Sequence, residues 1–570
     1  WGSPLQAQQV KIGKSNIKLN QDTMTPEALW AMGRIGTIAA SPDGKKIAYQ
    51  VGYYSVEENK GHQILYVMDA DGKNIKQLTT SDKNETDPSW LDNNTIAFLS
   101  GGQIWATAVD GSKRSKLTSD KTDIEGFKFS PDRKKVIIIK SLPYYGSIKK
   151  NPSDLPKATG RLITDMNYRH WDHYVESIPH PFVANVASDG TIDEGTDVLK
   201  NEPYECPMAP FGGIEQIDWS KDSKFVAYTC RKKEGVKYAI STDADIYLYN
   251  VETHQTRNLC KDDADKELLK EWAHADSTVD ATKSMRNQSV DSKKFQSLNV
   301  GYDVNPKFSP DGNYVAWQSM AHNGYESDLN RLCIYDLRKH SKLYATNAGN
   351  FDTNVDDYCW APDSKSLYLT GVWHATERIW NVSVNGGTVR QITDDSYNDF
   401  GSIQMLNGKQ LLTTRHSMLH PDDIFIVTPS KKEKASSVKQ ITDENKQIFD
   451  QLASAQVEQR WVKTTDGKQE LVWIILPPHF DKTKKYPTLL YCEGGPQSPV
   501  SQFWSYRWNF SIMAAHGYVI VAPNRRGLPG FGSEWNEEVS RDWTGQCMSD
   551  YLSAIDDAVA NLPYVDKDRL

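Results

Sequence analysis

The sequence predicts a seven-bladed β-propeller followed by an α/β domain. Three observations predict it: a short phrase that recurs seven times, a strand pair after each copy, and continuous apolar runs after Thr442. Repeats of ~40–50 residues with four strands each are typical of propellers. A β-sandwich with coincidental turns is the alternative, but a sandwich does not require seven copies of one phrase.

Each copy of the phrase combines an apolar strand end, a turn such as Pro42-Asp43-Gly44 and an alternating strand. These turn residues supply the fixed and positive φ values that a hairpin needs. A second strand pair follows, the first running from 64–67 to 77–79. Seven such pairs of hairpins predict seven four-stranded sheets. The copies begin at Ala40, Trp90, Phe129, Trp219, Phe308, Trp360 and Met405, and the last copy is degenerate.

Two insertions interrupt the repeats, at residues 143–181 and 261–299. The second insertion has helical spacing around 266–272 and is polar afterwards. This pattern predicts a surface excursion that starts with a helix.

The segment after the repeats has a different period. Apolar runs at 472–476, 488–492 and 518–522 indicate strands covered on both faces. Helical spacing predicts helices over 510–516 and 549–562. The predicted domains are therefore an N-terminal segment (1–36), the propeller (37–445) and the α/β domain (446–570).

Composition excludes several classes of function. The 66 basic and 74 acidic residues give a net charge of −8, which argues against a general nucleic-acid binder. No run approaches the ~18 apolar residues of a membrane-spanning helix. No histidine spacing suits a metal, and the glycines of 527–532 do not form a phosphate loop, so neither metal nor cofactor is expected.

The seven cysteines are scattered and contain no C-x-x-C pair. We expect them to be buried as small apolar residues, with one or two disulfides as the alternative. Residues 5–9 have the composition expected after cleavage of a signal peptide, so we expect an exported, periplasmic protein.

A series of motifs runs through the α/β domain: YCEGGPQ at 491–497, PNRRG at 523–527, GFG at 530–532 and DWTG at 542–545, followed by Asp550. In this order they resemble the prolyl oligopeptidase family of serine peptidases. The preceding propeller and the phrase YRHWD at 168–172 agree with that resemblance.

The resemblance implies an α/β-hydrolase whose nucleophile lies on a Gly-x-Ser-x-Gly turn, with Asp and then His later in the chain. The 570 residues contain no such turn; the nearest string, 545–549, has Cys547 at its centre. Family order implies that the turn follows residues 565–570. We therefore expect an incomplete hydrolase domain, truncated before the nucleophile, with no catalytic residue of the triad in this chain.

The resemblance also implies an oxyanion loop at Glu493, Gly494 and Gly495. A carboxylate cannot donate to an oxyanion unless it is protonated, so we expect donation by the backbone. Glu493 as an amine ligand, or a purely structural turn, are the alternatives. Trp543, together with Tyr551, is expected to wall a substrate pocket or to pack in the core.

Three further polar residues have structural interpretations. Asp550 is expected to cap a helix. Arg525 and Arg526 follow a strand at the usual ligand edge of an α/β sheet, and a structural salt bridge is the favoured interpretation.

A peptidase that releases dipeptides must recognise a free ammonium. Glu202 and Glu205 in a Pro-broken loop are the candidates, and Arg169, Trp171 and Asp172 in the first insertion are the rivals. The alternative for each is a solvated loop residue.

The resemblance implies a serine exopeptidase that releases N-terminal dipeptides and has peptide substrates as its partners. Nucleic-acid partners and a membrane span are not expected, and a homodimer is left open. An acylaminoacyl-peptidase or oligopeptidase, and a non-catalytic propeller scaffold, are the alternatives.

Overall fold

The computed structural model describes most of the chain. The described residues are 11–144, 148–149, 157–159, 162–163, 168–170, 173–280, 282–284, 288–495 and 497–570. Within them the chain forms seven four-stranded antiparallel sheets, followed by one mixed sheet of four strands.

The first three sheets follow a short helix, α1 (Pro26–Ala31). Sheet 1 contains β1 (Arg34–Ala40), β2 (Lys46–Ser55), β3 (Lys60–Asp69) and β4 (Lys76–Gln77). Sheet 2 contains β5 (Thr86–Trp90), β6 (Thr95–Ser100), β7 (Gln103–Ala108) and β8 (Ser115–Lys116). Sheet 3 contains β9 (Ile124–Phe129), β10 (Lys135–Pro143), β15 (Ser177–Asn185) and β16 (Thr196–Asp197). Two small hairpins lie between β10 and β15 in the chain. They are β11 (Ile148–Lys149) with β12 (Leu162–Ile163), and β13 (Tyr168–His170) with β14 (His173–Tyr174).

Sheets 4 and 5 flank the second insertion. Sheet 4 contains β17 (Ile217–Trp219), β18 (Phe225–Cys230), β19 (Asp245–Asn250) and β20 (Thr256–Asn258), with α2 (Gly235–Ile240) between β18 and β19. The insertion carries α3 (Lys266–Asp276), which confirms the predicted helix. Sheet 5 contains β21 (Asp303–Phe308), β22 (Tyr314–Ser319), β23 (Arg331–Asp336) and β24 (Ser341–Tyr344).

Sheets 6 and 7 complete the antiparallel series. Sheet 6 contains β25 (Asp357–Trp360), β26 (Ser366–Trp373), β27 (Thr376–Ser383) and β28 (Arg390–Gln391). Sheet 7 contains β29 (Asp399–Met405), β30 (Leu411–Ser417), β31 (His420–Thr428) and β32 (Ser437–Gln440). Helix α4 (Lys446–Phe449) follows.

The repeated phrase forms the turn between the first two strands of a sheet. In sheet 1 the Ser41 hydroxyl donates to Asp43 at 2.7 Å and accepts the Lys46 N–H at 2.9 Å, while Gly44 has φ +68°. The hydroxyl and carboxylate thus close the hairpin that the phrase predicts. The same serine-to-aspartate bond recurs from Ser130 to Asp132, Ser220 to Asp222 and Ser309 to Asp311.

Each antiparallel sheet shares an apolar core with the next one. Sheet 7 shares one with sheet 1, in which Leu412 and Ile424 pack with Ile47 and Tyr49. The seven sheets therefore form a closed circuit.

Polar contacts fasten the closure between sheets 7 and 1. The Asn445 amide accepts the Gly33 N–H and donates to the Gly33 carbonyl, both at 2.8 Å. The Tyr53 hydroxyl donates to Glu444 at 2.5 Å. Gly72 has φ +85°, and a Cβ there would lie 2.4 Å from the Ile441 carbonyl oxygen, so this approach requires glycine.

The C-terminal unit, residues 446–570, is a mixed sheet with helices. Its strands are β33 (Gln456–Lys463), β34 (Gln469–Leu476), β35 (Thr488–Leu490) and β36 (Val519–Pro523), in the spatial order β33-β34-β36-β35, and its helices after α4 are α5 (Phe510–Ala515), α6 (Ser533–Glu537) and α7 (Gln546–Asn561). Only β35 and β36 are parallel. The structure confirms the three predicted strands and both predicted helices, although α7 begins three residues earlier than residue 549.

Helix α1 and the β26–β27 hairpin are among the elements that attach the C-terminal unit to the circuit of sheets. Leu29 and Met32 around α1 pack with Ile448 and Ile512, so the N-terminal segment contacts the C-terminal unit. The tip of the β26–β27 hairpin also contacts the C-terminal unit, where the His374 N–H donates to the Gly530 carbonyl at 3.0 Å.

The seven cysteines, all of them described, are free thiols. Cys492 is exposed and Cys359 is half-buried, whereas the other five are buried. Among the described residues, no helix combines the length and apolarity needed to cross a membrane.

We predict that Asn445→Ala lowers the free energy of unfolding by roughly 2–4 kcal/mol, because the buried Gly33 N–H and C=O lose their partner. Urea unfolding measures the change. Asn94→Ala, in an exposed turn of sheet 2, is the control and is expected to have little effect. Equal stability of the two variants would contradict this role of Asn445.

Candidate active site

Two loops meet where the parallel strands β35 and β36 end. Residues 491–495, here called the Glu493 loop, follow β35. Asn524, Arg525 and Arg526 follow β36. The carboxyl ends of parallel strands form the usual ligand edge of an α/β sheet. Gly494 is exposed, and no atom lies within 4 Å of the position that a Cβ would take, so the backbone is open to a ligand.

The carbonyl of Glu493 is held by two donors. Arg525 Nη2 donates to it at 3.0 Å and the Tyr551 hydroxyl at 2.7 Å, while Arg525 Nε donates to the Tyr551 oxygen at 3.0 Å. In a trans peptide the N–H points opposite to the C=O. The N–H of Gly494 therefore points away from Arg525 and Tyr551.

The Glu493 side chain turns back toward its own strand. Its carboxylate accepts the Tyr491 hydroxyl at 2.7 Å. Burial raises the pKa of Glu493, and the Tyr491 hydrogen bond and the Arg525 charge oppose that rise. The Glu493 side chain is thus engaged within its own segment, and donation to an oxyanion by the backbone of this loop stays a prediction.

Arg526 joins a charge cluster in which Arg526 and Asp550 are buried, Glu538 is half-buried and Asp466 is exposed. Its guanidinium lies 2.6 Å from Asp466, 2.9 Å from Glu538 and 3.4 Å from Asp550. The hydrogen bond from Arg526 lowers the pKa of Asp466 well below its usual range. The structural salt bridge predicted for Arg526 is confirmed, whereas Arg525 holds the loop.

The prediction that Asp550 caps a helix is wrong. Helix α7 begins at Gln546, so Asp550 lies inside it, and its side chain is fully buried. The carboxylate accepts the backbone N–H of Arg526 at 2.9 Å. Asp550 thus ties α7 to the loop after β36.

Trp543 and Tyr551 have different environments. Trp543, in the turn before α7, is 64% exposed, so core packing is wrong for this residue. Its role as a pocket wall stays a prediction. Tyr551 is 9% exposed and its hydroxyl holds the Glu493 loop, so it acts as a positioning residue.

Glu202 and Glu205 lie in the loop between β16 and β17. Glu202 pairs with Lys232 at 2.7 Å. Glu205 is only 2% exposed and accepts the hydroxyl of Tyr238, a residue of α2. The solvated-loop alternative is therefore wrong for Glu205.

The rival residues in the first insertion are only partly described. Trp171 and Asp172 lie outside the described residues, and Arg169 belongs to β13, of whose side chains nothing is described. The backbone of β13 contacts α2, the helix that carries Tyr238. Strand β13 therefore lies beside the helix whose Tyr238 hydroxyl binds Glu205.

A bridging segment, residues 323–327, runs from the end of α2, the helix that carries Tyr238, to Gln497, just after the Glu493 loop. Asn323 Oδ1 accepts the Ser241 hydroxyl at 2.7 Å, directly after α2. At the other end the Ser327 hydroxyl donates to Gln497, and the Ser327 carbonyl accepts the Asn536 amide at 2.7 Å. No sequence motif marks this segment, so reasoning from the sequence misses it.

A cavity of about 630 Å³ lies beside the bridging segment. It is lined by Gly324 and Tyr325 of that segment, by Lys283 of the second insertion, and by Glu537 and Arg541 of the C-terminal unit. The cavity thus lies between the sheets and the C-terminal unit, and its size is typical of a ligand site.

The chain is similar to known peptidases over almost its whole length. A sequence profile of the prolyl oligopeptidase family matches residues 504–570. Dipeptidyl-peptidase 5 of Porphyromonas gingivalis is 43% identical over 552 residues, which cover 96% of this chain and 74% of that protein. The chain belongs to the prolyl oligopeptidase family. Dipeptidyl-peptidase 5 of Porphyromonas endodontalis is 37% identical over 560 residues, with 97% and 74% covered.

Solved structures of peptidases share the fold of this family member. Pyrococcus horikoshii acylaminoacyl peptidase has a TM-score of 0.67 at 15% identity, covering 95% of this chain and 73% of that chain. Porphyromonas gingivalis dipeptidyl peptidase 4 has a TM-score of 0.53 at 17% identity, covering 94% and 70%. The chain thus shares its overall fold with these two peptidases.

Glu470 of β34 is a buried acid behind the Arg526 cluster. Its side chain is fully buried, and neither carboxylate oxygen has a hydrogen-bond partner. Burial raises the pKa of Glu470 to about 9; the charge of Asp550 adds to the rise and Arg526 opposes it. Glu470 is therefore neutral at pH 7.

We predict that Tyr551→Phe loosens the Glu493 loop. The loss of a hydrogen bond of about 1 kcal/mol corresponds to roughly fivefold faster amide exchange at residues 492–497. Hydrogen-exchange mass spectrometry measures this rate. Tyr564→Phe is the matched control, because the buried Tyr564 hydroxyl has no partner. Unchanged exchange in Tyr551→Phe would contradict the positioning role.

We predict that Glu470→Gln stabilises the protein at neutral pH. Between pH 4.5 and about 9 the unfolded chain loses the Glu470 proton while the folded chain keeps it, so stability falls as pH rises. The variant is neutral in both states and lacks this loss, which is on the order of 3 kcal/mol at pH 7.

Urea unfolding at pH 4 and pH 7 measures the difference. The variant and the wild type are expected to have similar stability at pH 4 and to diverge at pH 7. Glu458→Gln, on the exposed side of β33, is the control. A difference that is the same at both pH values would rule out a buried neutral acid.

Proposed function

We propose that the protein is a serine exopeptidase that releases N-terminal dipeptides from peptides. The observation that carries the proposal is the connection of Glu205, through α2 and the bridging segment, to Gln497, just after the Glu493 loop. Extensive similarity to two proteins named dipeptidyl-peptidase 5 agrees with it.

Glu205 and Glu202 would bind the ammonium of the substrate. An enzyme that releases dipeptides must hold this charge at a fixed distance from the scissile bond. Glu205 is nearly excluded from water, which strengthens its attraction for a cation. The Tyr238 hydroxyl fixes the orientation of its carboxylate.

The Glu493 loop would stabilise the oxyanion. In acyl transfer a serine attacks the scissile carbonyl carbon, and negative charge develops on the carbonyl oxygen. A preorganised donor at this oxygen contributes about 2.7–4 kcal/mol to transition-state stabilisation. Arg525 and Tyr551 hold the Glu493 carbonyl so that the Gly494 N–H can fill this role.

We also propose a finer architecture. The seven antiparallel sheets and their closed circuit of shared cores support a seven-bladed propeller over residues 37–445, preceded by an N-terminal segment. Residues 446–570 would belong to the hydrolase domain. The composition of residues 5–9 supports export to the periplasm, and a homodimer stays a prediction.

An acylaminoacyl peptidase is the second candidate within the family. The fold similarity to the Pyrococcus horikoshii protein favours it. The two candidates differ in the substrate N-terminus that they bind. A dipeptidyl peptidase binds a charged ammonium, whereas an acylaminoacyl peptidase binds an acylated N-terminus, which has no positive charge.

We predict that Glu205→Gln lowers kcat/KM for substrates with a free N-terminus by roughly 30-fold or more, because a buried charge pair with the ammonium is lost. Hydrolysis of N-acylated analogues is expected to change little. The assay uses the protein as its gene encodes it, and Glu202→Gln provides a second variant. Glu252→Gln, in an exposed outer turn, is the control.

The ratio of unblocked to N-acylated hydrolysis is the readout, so a general loss of folded protein does not affect it. If both glutamate variants leave this ratio unchanged, these residues do not bind the amine. A wild-type preference for N-acylated substrates would support the acylaminoacyl peptidase instead.

We predict that a fluorophosphonate probe labels the gene-encoded protein with a stoichiometry near one per chain, because only an activated serine reacts with it. Mass spectrometry of the digested protein measures the labelling. Heat-denatured protein is the control. Absence of labelling in the folded protein would favour the non-catalytic scaffold.

A further inference from the structure

The segment that follows the second insertion pairs with the residue before β19, between sheets 4 and 5. Ala244 pairs with Tyr302 in an isolated bridge, and the Asp303 N–H donates to the Ala244 carbonyl at 3.1 Å. This contact brings the start of β19 beside the start of β21. Cys260, which precedes the insertion, lies in the same apolar core between the two sheets.

A cluster of metal-ligating side chains lies at this junction. Asp245 and Asp303 each present a carboxylate oxygen, and Cys260 presents its Sγ, with all three atoms within 4.8 Å of one another. The residues are 7%, 0% and 1% exposed, respectively. Three segments that are distant in the chain thus converge on a site closed to bulk water.

Asp303 has an oxygen with unused bonding capacity. Its Oδ1 accepts the Asn299 amide at 2.6 Å and the Trp317 indole N–H at 2.7 Å. Among the described residues, no donor meets its Oδ2 with full hydrogen-bond geometry, although the residue is fully buried and Ser319 lies nearby. A buried carboxylate oxygen without a donor is costly, and a bound ion is one of the ways in which proteins satisfy such an atom.

Burial disfavours the charged forms of the acidic groups at the junction, and Lys261 places a positive charge beside Asp245. Burial raises the pKa of Asp303 to about 7, and the charge of Asp245 adds to the rise. Burial likewise raises the pKa of Cys260 above its usual range. A bound divalent ion reverses this tendency, because it stabilises the carboxylate and the thiolate.

We propose that Asp245, Cys260 and Asp303 bind a zinc ion that fastens the two ends of the insertion to sheets 4 and 5. Zinc accepts both thiolate and carboxylate ligands, and a thiolate ligand disfavours magnesium and calcium. Binding transfers the Cys260 thiol proton, and any proton on Asp303, to solvent. Affinity therefore rises with pH.

The surroundings of Asp245 fit the role of a ligand. Its oxygens accept the Asn258 amide at 2.8 Å and the Lys261 ammonium, and Lys261 also pairs with Asp243 at 2.6 Å. Each oxygen keeps a second lone pair for a metal. Hydrogen-bonded carboxylate ligands of this kind are common, because the outer partners fix their orientation.

Metal analysis of the wild-type protein tests the proposal directly. The gene-encoded protein is treated with a chelator and then titrated with Zn²⁺ or Co²⁺ alone. We expect close to one tightly bound ion per chain and, with cobalt, a near-ultraviolet thiolate-to-metal absorption band. Saturating zinc is expected to raise the midpoint of thermal unfolding by a few degrees.

Variants locate the ion. Cys260→Ser is expected to abolish the cobalt band and to weaken zinc binding by at least about tenfold, and Asp303→Asn to weaken binding similarly. Cys359→Ser, in sheet 6, is the matched control and is expected to retain both signals.

Two results would overturn the proposal. The first is wild-type protein that takes up only substoichiometric zinc and develops no cobalt band, a measurement that does not depend on the folding of any variant. The second is a cobalt band that Cys260→Ser retains, because the thiolate ligand would then be another cysteine.

Discussion

The packing of sheet 7 on sheet 1 is the constraint on which the rest of the structure depends. Both the N-terminal segment and the C-terminal unit leave the circuit of sheets at this closure, where Asn445 binds both backbone groups of Gly33. The β26–β27 hairpin adds a second attachment through His374 and Gly530. The bridging segment adds a further contact, from Ser327 to Gln497, just after the Glu493 loop.

In the candidate active site, side chains of the C-terminal unit fix the position of the loops after β35 and β36. Arg525 and Tyr551 orient the Glu493 peptide, while Arg526 and Asp550 tie the neighbouring loop to α7. These contacts involve only groups of the protein itself, and such preorganised groups are the condition for effective electrostatic stabilisation of a transition state. Glu205 follows the same principle, since Tyr238 positions its buried carboxylate.

Local patterns predict much of the fold. The Ser-x-Asp turns and alternating strands are determined by neighbouring residues, so the repeats alone are enough to predict the antiparallel sheets. The sequence pattern does not predict β33, because most residues of this strand are exposed or half-buried and they form no apolar run. The environment of Asp550 and the bridging segment depend on contacts between distant residues, for which a single sequence carries no local signal. The resemblance indicated the Glu493 loop, whereas its anchoring by Tyr551 depends on a contact across 58 positions of the chain.

The central claim is that one peptide spans from Glu205 on the sheets to the Glu493 loop of the C-terminal unit. A crystal structure of the gene-encoded protein with a bound dipeptide product tests it most directly. The account predicts the ammonium of the product at the carboxylates of Glu205 and Glu202, and its carboxyl group facing the Gly494 N–H. A product bound elsewhere, or bound with its ammonium away from both glutamates, would contradict the account.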